Sequence, residues 1–418
     1  MIYAILIGLV VLTCLAAGYL WKRLVWDTTR TLRARVIGSV AAVLLGLLIP
    51  VTMAAETVPW IAWPGFIWLA FVLYLTLVLL ILEVPTLVIK RWLRRRSHQA
   101  TQTEAKPVAP TATAPPTGTP DSPSDDTPAT TQPTAGTATT RPDVPNPDRR
   151  LLLARGTAIF AGLTAGGIVG YGMRTAMSAP RVDRVQIPVA KLPRTLDGLR
   201  LAVVSDIHLG PIARTAHSQR IVEVINSVDA DIVAVVGDLV DDTVEELGAA
   251  AAPLRGIRSR QGTYFVTGDH EYYSGYESWI DEVRDLGMRP LRNERVALGA
   301  LDLAGVNDTT GGMYGDAPDF PKTFADRDPA RPVVLMAHQP VQAVEAARYG
   351  VDLQVSGHTH GGQMFPFDAV VRLQQPLLSG YGTVDGVPVY VTNGAGFWGP
   401  PVRVGAPPQV TLIELRTP

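Results

Sequence analysis

Five of the chain's seven histidines stand where short apolar runs give way to polar residues, and three aspartates share those places. "LRLAVVSDIH" ends on Asp206 and His208, "DIVAVVGD" on Asp238, and "GTYFVTGDHE" on Asp269, His270 and Glu271. "PVVLMAHQP" carries His338, and "VDLQVSGHTH" carries His358 and His360. A single histidine or aspartate in such a position reads as a cap or a surface residue. Their coincidence at five run ends reads as a site. Imidazole and carboxylate ligands in one cluster suit Mn, Fe or Zn. Two such cations, about 3.5–4 Å apart, can clamp a phosphoryl group and lower the pKa of a water between them. The GHTHGG turn fits that chemistry. Its histidines are alternate residues that can reach different ions, and its glycines let backbone approach a metal or phosphate with no Cβ in the way.

The runs carrying these residues are short and rich in β-branched side chains, as buried strands are. Helical patterns separate them. Residues 215–228 place Ile221, Val222, Ile225 and Val228 on one face, and Trp279, Ile280, Val283 and Leu286 mark a helix that Gly287 stops. A further helix opens at Pro340 and runs to Tyr349. Strand–helix alternation predicts an α/β domain, whose strands present ligand sites at their C-terminal ends. Outside the main motifs, Asn307 and Asp308 read as a structural turn, with a place near the site as the alternative, and Arg403 reads as a surface charge, with contact to an anion as the alternative. Phe397 and Trp398 read as core or pocket lining, and Glu271, Tyr272 and Tyr273 as flanks of the site.

The chain has 418 residues, enough for more than one domain, and a net charge of −1, which gives nucleic acid no basic surface to bind. Its one cysteine, Cys14, excludes an intrachain disulfide and a cysteine zinc site. The 47% hydrophobic content is concentrated in the first hundred residues. Apolar runs at 2–20, 36–55 and 64–89 are long enough to cross a bilayer, the last interrupted only by Glu83. Residues 1–96 therefore read as a membrane domain with three transmembrane helices. Residues 97–148, dominated by Pro, Thr and Ala, read as a disordered linker. Residues 149–178 read as a fourth span around 156–173, or as a twin-arginine-like signal anchor headed by Arg149 and Arg150. Gly162, Gly166 and Gly170 form a ridge suited to helix packing. Residues 179–418 form the α/β domain.

Charge orients the spans. Lys22, Arg23, Arg30, Arg33 and Arg35 lie between the first two, Glu56 alone lies in the next connection, and Lys90, Arg91, Arg94, Arg95 and Arg96 follow the third. Positive residues favour the cytoplasmic side. The protein is therefore expected to be a multi-pass protein of the cell membrane with its α/β domain outside the cytoplasm.

The ordered series D-x-H, G-D, G-D-H-E, H and G-H-x-H resembles the calcineurin-like metallophosphoesterase superfamily. The segments "SDIHLG", "GDLVD", "GDHEYYSG" and "GHTHGGQ" are most similar to its bacterial membrane-associated or exported branch. The resemblance covers roughly 182–415. It implies a two-sheet α/β/β/α sandwich and a binuclear site of two divalent metal ions, Mn, Fe or Zn. Asp206, His208 and His360 would hold the first ion, Asp269, His338 and His358 the second, and Asp238 would bridge them. His270 would contact the phosphate and protonate the leaving oxygen. The implied activity is hydrolysis of phosphate mono- or diesters by a metal-bridging hydroxide; the expected membrane attachment makes lipid or cell-envelope phosphoesters candidate substrates. This chain carries Asp269 where the family usually has asparagine, adding negative charge beside the second ion. The rival reading keeps the fold as a membrane sensor or binding module with weak turnover. An amidohydrolase would place its H-x-H on the first strand, and a metallo-β-lactamase-like enzyme needs an H-x-H-x-D-H motif; the order here matches neither. The C-terminal stretch from Val391 is expected to supply strands to the second sheet.

Overall fold

The computed structural model describes residues 13–55, 58–103 and 147–418. Three of its helices are long and apolar enough to cross a membrane: α1 (Leu32–Ala54), α2 (Pro59–Thr103) and α3 (Pro147–Met177). The runs at 36–55, 64–89 and 156–173 fall on them. Of the first expected span, residues 2–12 lie outside the described residues, as do residues 104–146 of the expected linker. Helix α2 continues beyond Ser97 because 90–103 contains neither proline nor glycine to stop it.

The described residues fall into two compact units, one within 1–39 and 76–161, the other within 40–75 and 162–418. In the first, Glu83 is matched rather than left bare in an apolar helix. Arg23 lies 3.0 Å from its carboxylate and the Tyr19 hydroxyl donates to it at 3.1 Å. The second unit contains every described strand.

Those strands form two six-stranded mixed sheets. The first has the order β1 (Arg181–Pro188), β12 (Gln409–Arg416), β2 (Leu199–Val204), β3 (Ile232–Val236), β4 (Thr263–Val266) and β5 (Arg289–Pro290). The second runs β10 (Gly380–Val384), β11 (Val387–Val391), β9 (Leu353–Ser356), β8 (Val333–Met336), β7 (Leu301–Gly305) and β6 (Glu294–Leu298). Strands β2 to β5 are mutually parallel, as are β7, β8, β9 and β11.

Successive side chains of a strand point to opposite faces, and here both faces are apolar. Leu201, Val203, Ile232, Ala234 and Val236 meet Val334, Met336, Leu353 and Val355 between the sheets. Their neighbours Ala202, Val204, Val233 and Val235 face α4 (Thr215–Ser227), α5 (Val244–Ala251) and, farther along, α7 (Tyr276–Asp285), which follows the short α6 (Asp269–Tyr273). On the far side, Val333, Leu335, Val389 and Val391 pack under Ala343 and Ala346. The result is the layered α/β sandwich that continuous apolar strands require.

The region expected as a helix from Pro340 to Tyr349 is one α-turn, Ala343–Ala346, between two 3-10 turns. The C-terminal strand also departs from expectation. Strand β12 belongs to the first sheet, parallel to β1 and antiparallel to β2. Its residues 409–413 are all buried, so it needs an interior position with cover on both faces.

Candidate metal centre

Every sequence-predicted site residue follows a strand end. Asp206 and His208 follow β2, Asp238 follows β3, and Asp269 and His270 open α6 after β4, all from the first sheet. His338 follows β8, and His358 and His360 follow β9, from the second. The site therefore lies where the C-terminal ends of two parallel strand sets converge. Asp206, His208, Asp238, His358 and His360 all have φ between +48° and +68°, the left-handed region that β-type and helical chains avoid. Such conformations cost free energy and persist where surrounding structure enforces them.

Close backbone approach enforces them here. A Cβ on Gly268 would stand 2.5 Å from the Asp238 amide nitrogen and collide with its carboxylate, and one on Gly357 would collide with Ser205 and Asp206. The Glu271 carboxylate, buried beneath the site, accepts the N–H groups of Gly268 (2.6 Å), Asp238 (3.0 Å) and Leu239 (2.6 Å). It thereby ties the tips of β3 and β4 together.

Among the described residues the ligand-type atoms fall into three groups, each within 4.8 Å: Asp206, His208 and His360; Asp238, Asp269, His338 and His358; and His208, Asp241 and His270, which shares His208 with the first. In the first, His208 Nε2 lies 2.9 Å from His360 Nε2, and His360 Nε2 lies 3.5 Å from Asp206. In the second, His338 Nε2 is 3.1 Å from Asp238 and 3.2 Å from Asp269, and His358 Nδ1 is 3.1 Å from Asp269. Asp238 stands between the groups, its Oδ2 also 3.6 Å from His208 Nε2.

These donors fit divalent cations. His338 Nδ1 faces the Val236 carbonyl at 2.7 Å, which turns Nε2 into the site. That Nε2 is buried with no hydrogen-bond partner, between two carboxylates. His208 turns Nδ1 to Asp241 at 2.6 Å and presents Nε2 to His360 Nε2 and the Asp238 carboxylate. Carboxylate or carbonyl partners on the far ring nitrogen are the usual support for metal-ligating histidines. Buried carboxylates also crowd the site, and buried charge is held by pairing or by metal. Burial, reinforced by Asp238, raises the Asp206 carboxyl. Burial opposes the charge of Asp269, yet His338 and His358 hold its carboxyl well below the usual range. Burial likewise opposes a charged His270, but Asp238, Asp241 and Asp269 push it up to about 10.

Two side chains here went unremarked or misread in the sequence. Asp241 accepts from His208 and also lies 2.9 Å from His270 Nδ1, so one carboxylate orients both rings. Its only signal was a place three residues after Asp238. Arg403, expected as a surface charge, is fully buried. Its guanidinium donates to the carbonyls of His360 (2.9 Å), Asn393 (2.8 Å) and Gly396 (2.9 Å), and to His360 Nδ1 (3.0 Å). Burial and this cation keep His360 well below its usual range, hence neutral. Asp308 lies behind the site, accepting from Gln339 at 3.1 Å, and Asn307 accepts from Gln342 through its carbonyl. Phe397 is core against His217, whereas Trp398 is 55% exposed with its ring centre 5.9 Å from that of His270.

Residues 199–362 match the family profile described as Calcineurin-like phosphoesterase. A Danio rerio protein described as "Transmembrane protein with metallophosphoesterase domain" is 38% identical over 260 residues, covering 59% of this chain and 60% of that one. An "Uncharacterized metallophosphoesterase" of Helicobacter pylori is 36% identical over 254 residues, covering 59% and 68%. Another of that description, from Aquifex aeolicus, is 33% identical over 242 residues, covering 56% of this chain and 92% of its own length. The chain spans about 60% of the length of the first of these relatives.

Proposed function

Since the chain belongs to the calcineurin-like phosphoesterase family, we propose that it is a membrane-anchored phosphoesterase that holds two divalent cations and hydrolyses phosphate mono- or diesters. Asp206, His208 and His360 would hold one ion, Asp269, His338 and His358 the other, and Asp238 both. The observation that carries this reading is the meeting of carboxylates and imidazole nitrogens from two sheets, above all the partnerless Nε2 of His338. When bound, Mn, Fe or Zn ions supply Lewis-acid polarisation of the phosphoryl oxygens and a water of lowered pKa.

The protein's own groups do the rest. Asp241 turns Nδ1 of His270 away from the opening, leaving Nε2 to face the ester. His270 there holds a proton for the leaving oxygen. As the ester P–O bond breaks, that oxygen takes the proton, the water oxygen bonds to phosphorus, and the water's proton returns to solvent. Arg403 and Asp241 need not move, so the site is oriented before substrate arrives. In this reading residues 1–96 and 149–178 anchor the chain, and 179–418 carry the chemistry outside the cytoplasm.

The test is the purified chain supplied in turn with Mn²⁺, Fe²⁺ and Zn²⁺ and offered chromogenic phosphate mono- and diesters, with elemental analysis alongside. Metal-dependent hydrolysis with about two ions per chain is expected. Bound metal without hydrolysis of either ester would favour the sensor reading.

A further inference from the structure

The loop 397–405 joins the site to the membrane-spanning helices within one unit. Trp398 faces His270 from this loop. At Gly399 a Cβ would lie 3.6 Å from the ring of Phe66 in α2, and at Arg403 the N–H donates to the carbonyl of Gly172 in α3 at 2.9 Å. A Cβ on Gly172 would come within 2.5 Å of Val402, so only glycine permits this contact. The expected ridge residues Gly162 and Gly170 face open space among the described residues. Phe66 stands near the start of the apolar run 64–89, and Gly172 near the end of the run 156–173. The loop therefore touches both helices where their apolar stretches end, the level of the bilayer surface. Exposed Trp60 and Tyr171 mark the same level on those helices, as interfacial aromatics do.

Beside this loop runs an apolar segment left exposed among the described residues. Phe365 N–H donates to the Val404 carbonyl at 2.9 Å, and Val404 N–H to the Gln363 carbonyl at 2.8 Å, so the segment is strapped to the loop. The short helix Asp368–Val371 lies against the His360 turn, where a Cβ on Gly362 would stand 2.5 Å from Asp368 Cα. Phe365 is 62% exposed and Leu373 85%, with Phe367 and Val370 exposed between them. A cluster of exposed large apolar side chains marks an interaction surface. Its continuity with the helix ends says what meets it.

Resting on the phosphoesterase reading above, we propose that the mouth of the site lies at the bilayer surface and that its substrate is a membrane amphiphile carrying a phosphoester headgroup. The headgroup enters beside His270, and the apolar part lies along Trp398, Phe365, Phe367, Val370 and Leu373. The bond broken is the P–O ester of the headgroup, with water supplying the new oxygen as described. A chain anchored this way meets its substrate by lateral diffusion in the leaflet, without extracting it.

Two measurements on the full chain in nanodiscs decide this. In a Cys14→Ser background, which removes the only native thiol, Leu373→Cys would carry an environment-sensitive fluorophore. Quenching by lipids doxyl-labelled near the headgroup, with protection from aqueous iodide, is expected; quenching by iodide alone overturns the proposal. The second compares a chromogenic phosphoester bearing a hexadecyl chain, embedded in phosphatidylcholine vesicles, with the same ester bearing a methyl group in solution. The embedded ester should show the higher kcat/KM. Phe365→Ser with Leu373→Ser should lower the ratio of embedded to soluble kcat/KM by about tenfold, since burying one large apolar side chain is worth that much or more. Turnover of the soluble ester only, or an unchanged ratio, overturns this inference and leaves the phosphoesterase reading standing. No turnover of either ester sinks both.

Discussion

The side-chain amide of Gln363 grips the backbone of Trp398 at both ends: Nε2 donates to the Trp398 carbonyl at 2.8 Å, and Oε1 accepts the Trp398 N–H at 3.0 Å. Nε2 also reaches the Pro400 carbonyl at 3.2 Å. Gln363 stands three residues after His360 and is itself held at φ +48°. The turn that carries the metal-type histidines and the loop that touches α2 and α3 are thus one rigid piece. Gln363→Ala leaves buried backbone groups unpaired and is expected to cost about 1–3 kcal/mol of stability. Thermal melting of the detergent-solubilised chain measures it, and an unchanged Tm would dismiss the clamp.

Asp241 touches no substrate in the proposed mechanism; it positions. Asp241→Asn keeps the shape but removes the charge that holds Nδ1–H of His208, so metal affinity is expected to fall about 10–100-fold. Because His270 loses the same partner, the pH–rate profile should shift as well, which simple loosening of the fold would not do. Metal titration followed by rate measurement checks both.

Asp269→Asn supplies the residue usual in the family. The amide oxygen can replace the carboxylate oxygen beside His338 and His358, but one negative charge is lost. Retention of the second ion should weaken by about an order of magnitude while hydrolysis persists, since hard divalent ions accept both oxygen types. Equal metal content and equal rate would place Asp269 outside the site.

A methyl group on residue 268 has nowhere to go. Gly268→Ala drives its Cβ into Asp238, the carboxylate that stands between His338 and His208. The variant is expected to keep its circular dichroism spectrum while losing bound metal and all hydrolysis. Full metal occupancy would mean that the strand tips yield more than close packing allows.

His217 gives the fold an acid limit. Burial, with help from Arg220 and Arg403, lowers its pKa to about 4. The unfolded chain, titrating near 6.5, binds the proton first as pH falls. The stabilisation is therefore complete above about 6.5 and is lost progressively between about 6.5 and 4, amounting to about 3 kcal/mol. His217→Leu should flatten the decline of Tm over that window relative to the parent chain; parallel curves would show that His217 takes its proton without cost.

The sequence by itself determined what is local: the ligand chemistry of each strand end, and the apolar lengths of the spans. The burial of both faces of strands such as β2, where Val203 and Val204 are each fully buried, was equally legible, because a continuous apolar run is read within a few residues. Only the tertiary structure decided that Asp241 serves two histidines and that Arg403 is an interior prop instead of a surface charge. The same holds for the insertion of β12 between β1 and β2, and for the loop of Trp398 resting on α2 and α3. Each of these depends on pairing between residues far apart in the chain. Burial and charge environment belong to that pairing, and no window of sequence contains it.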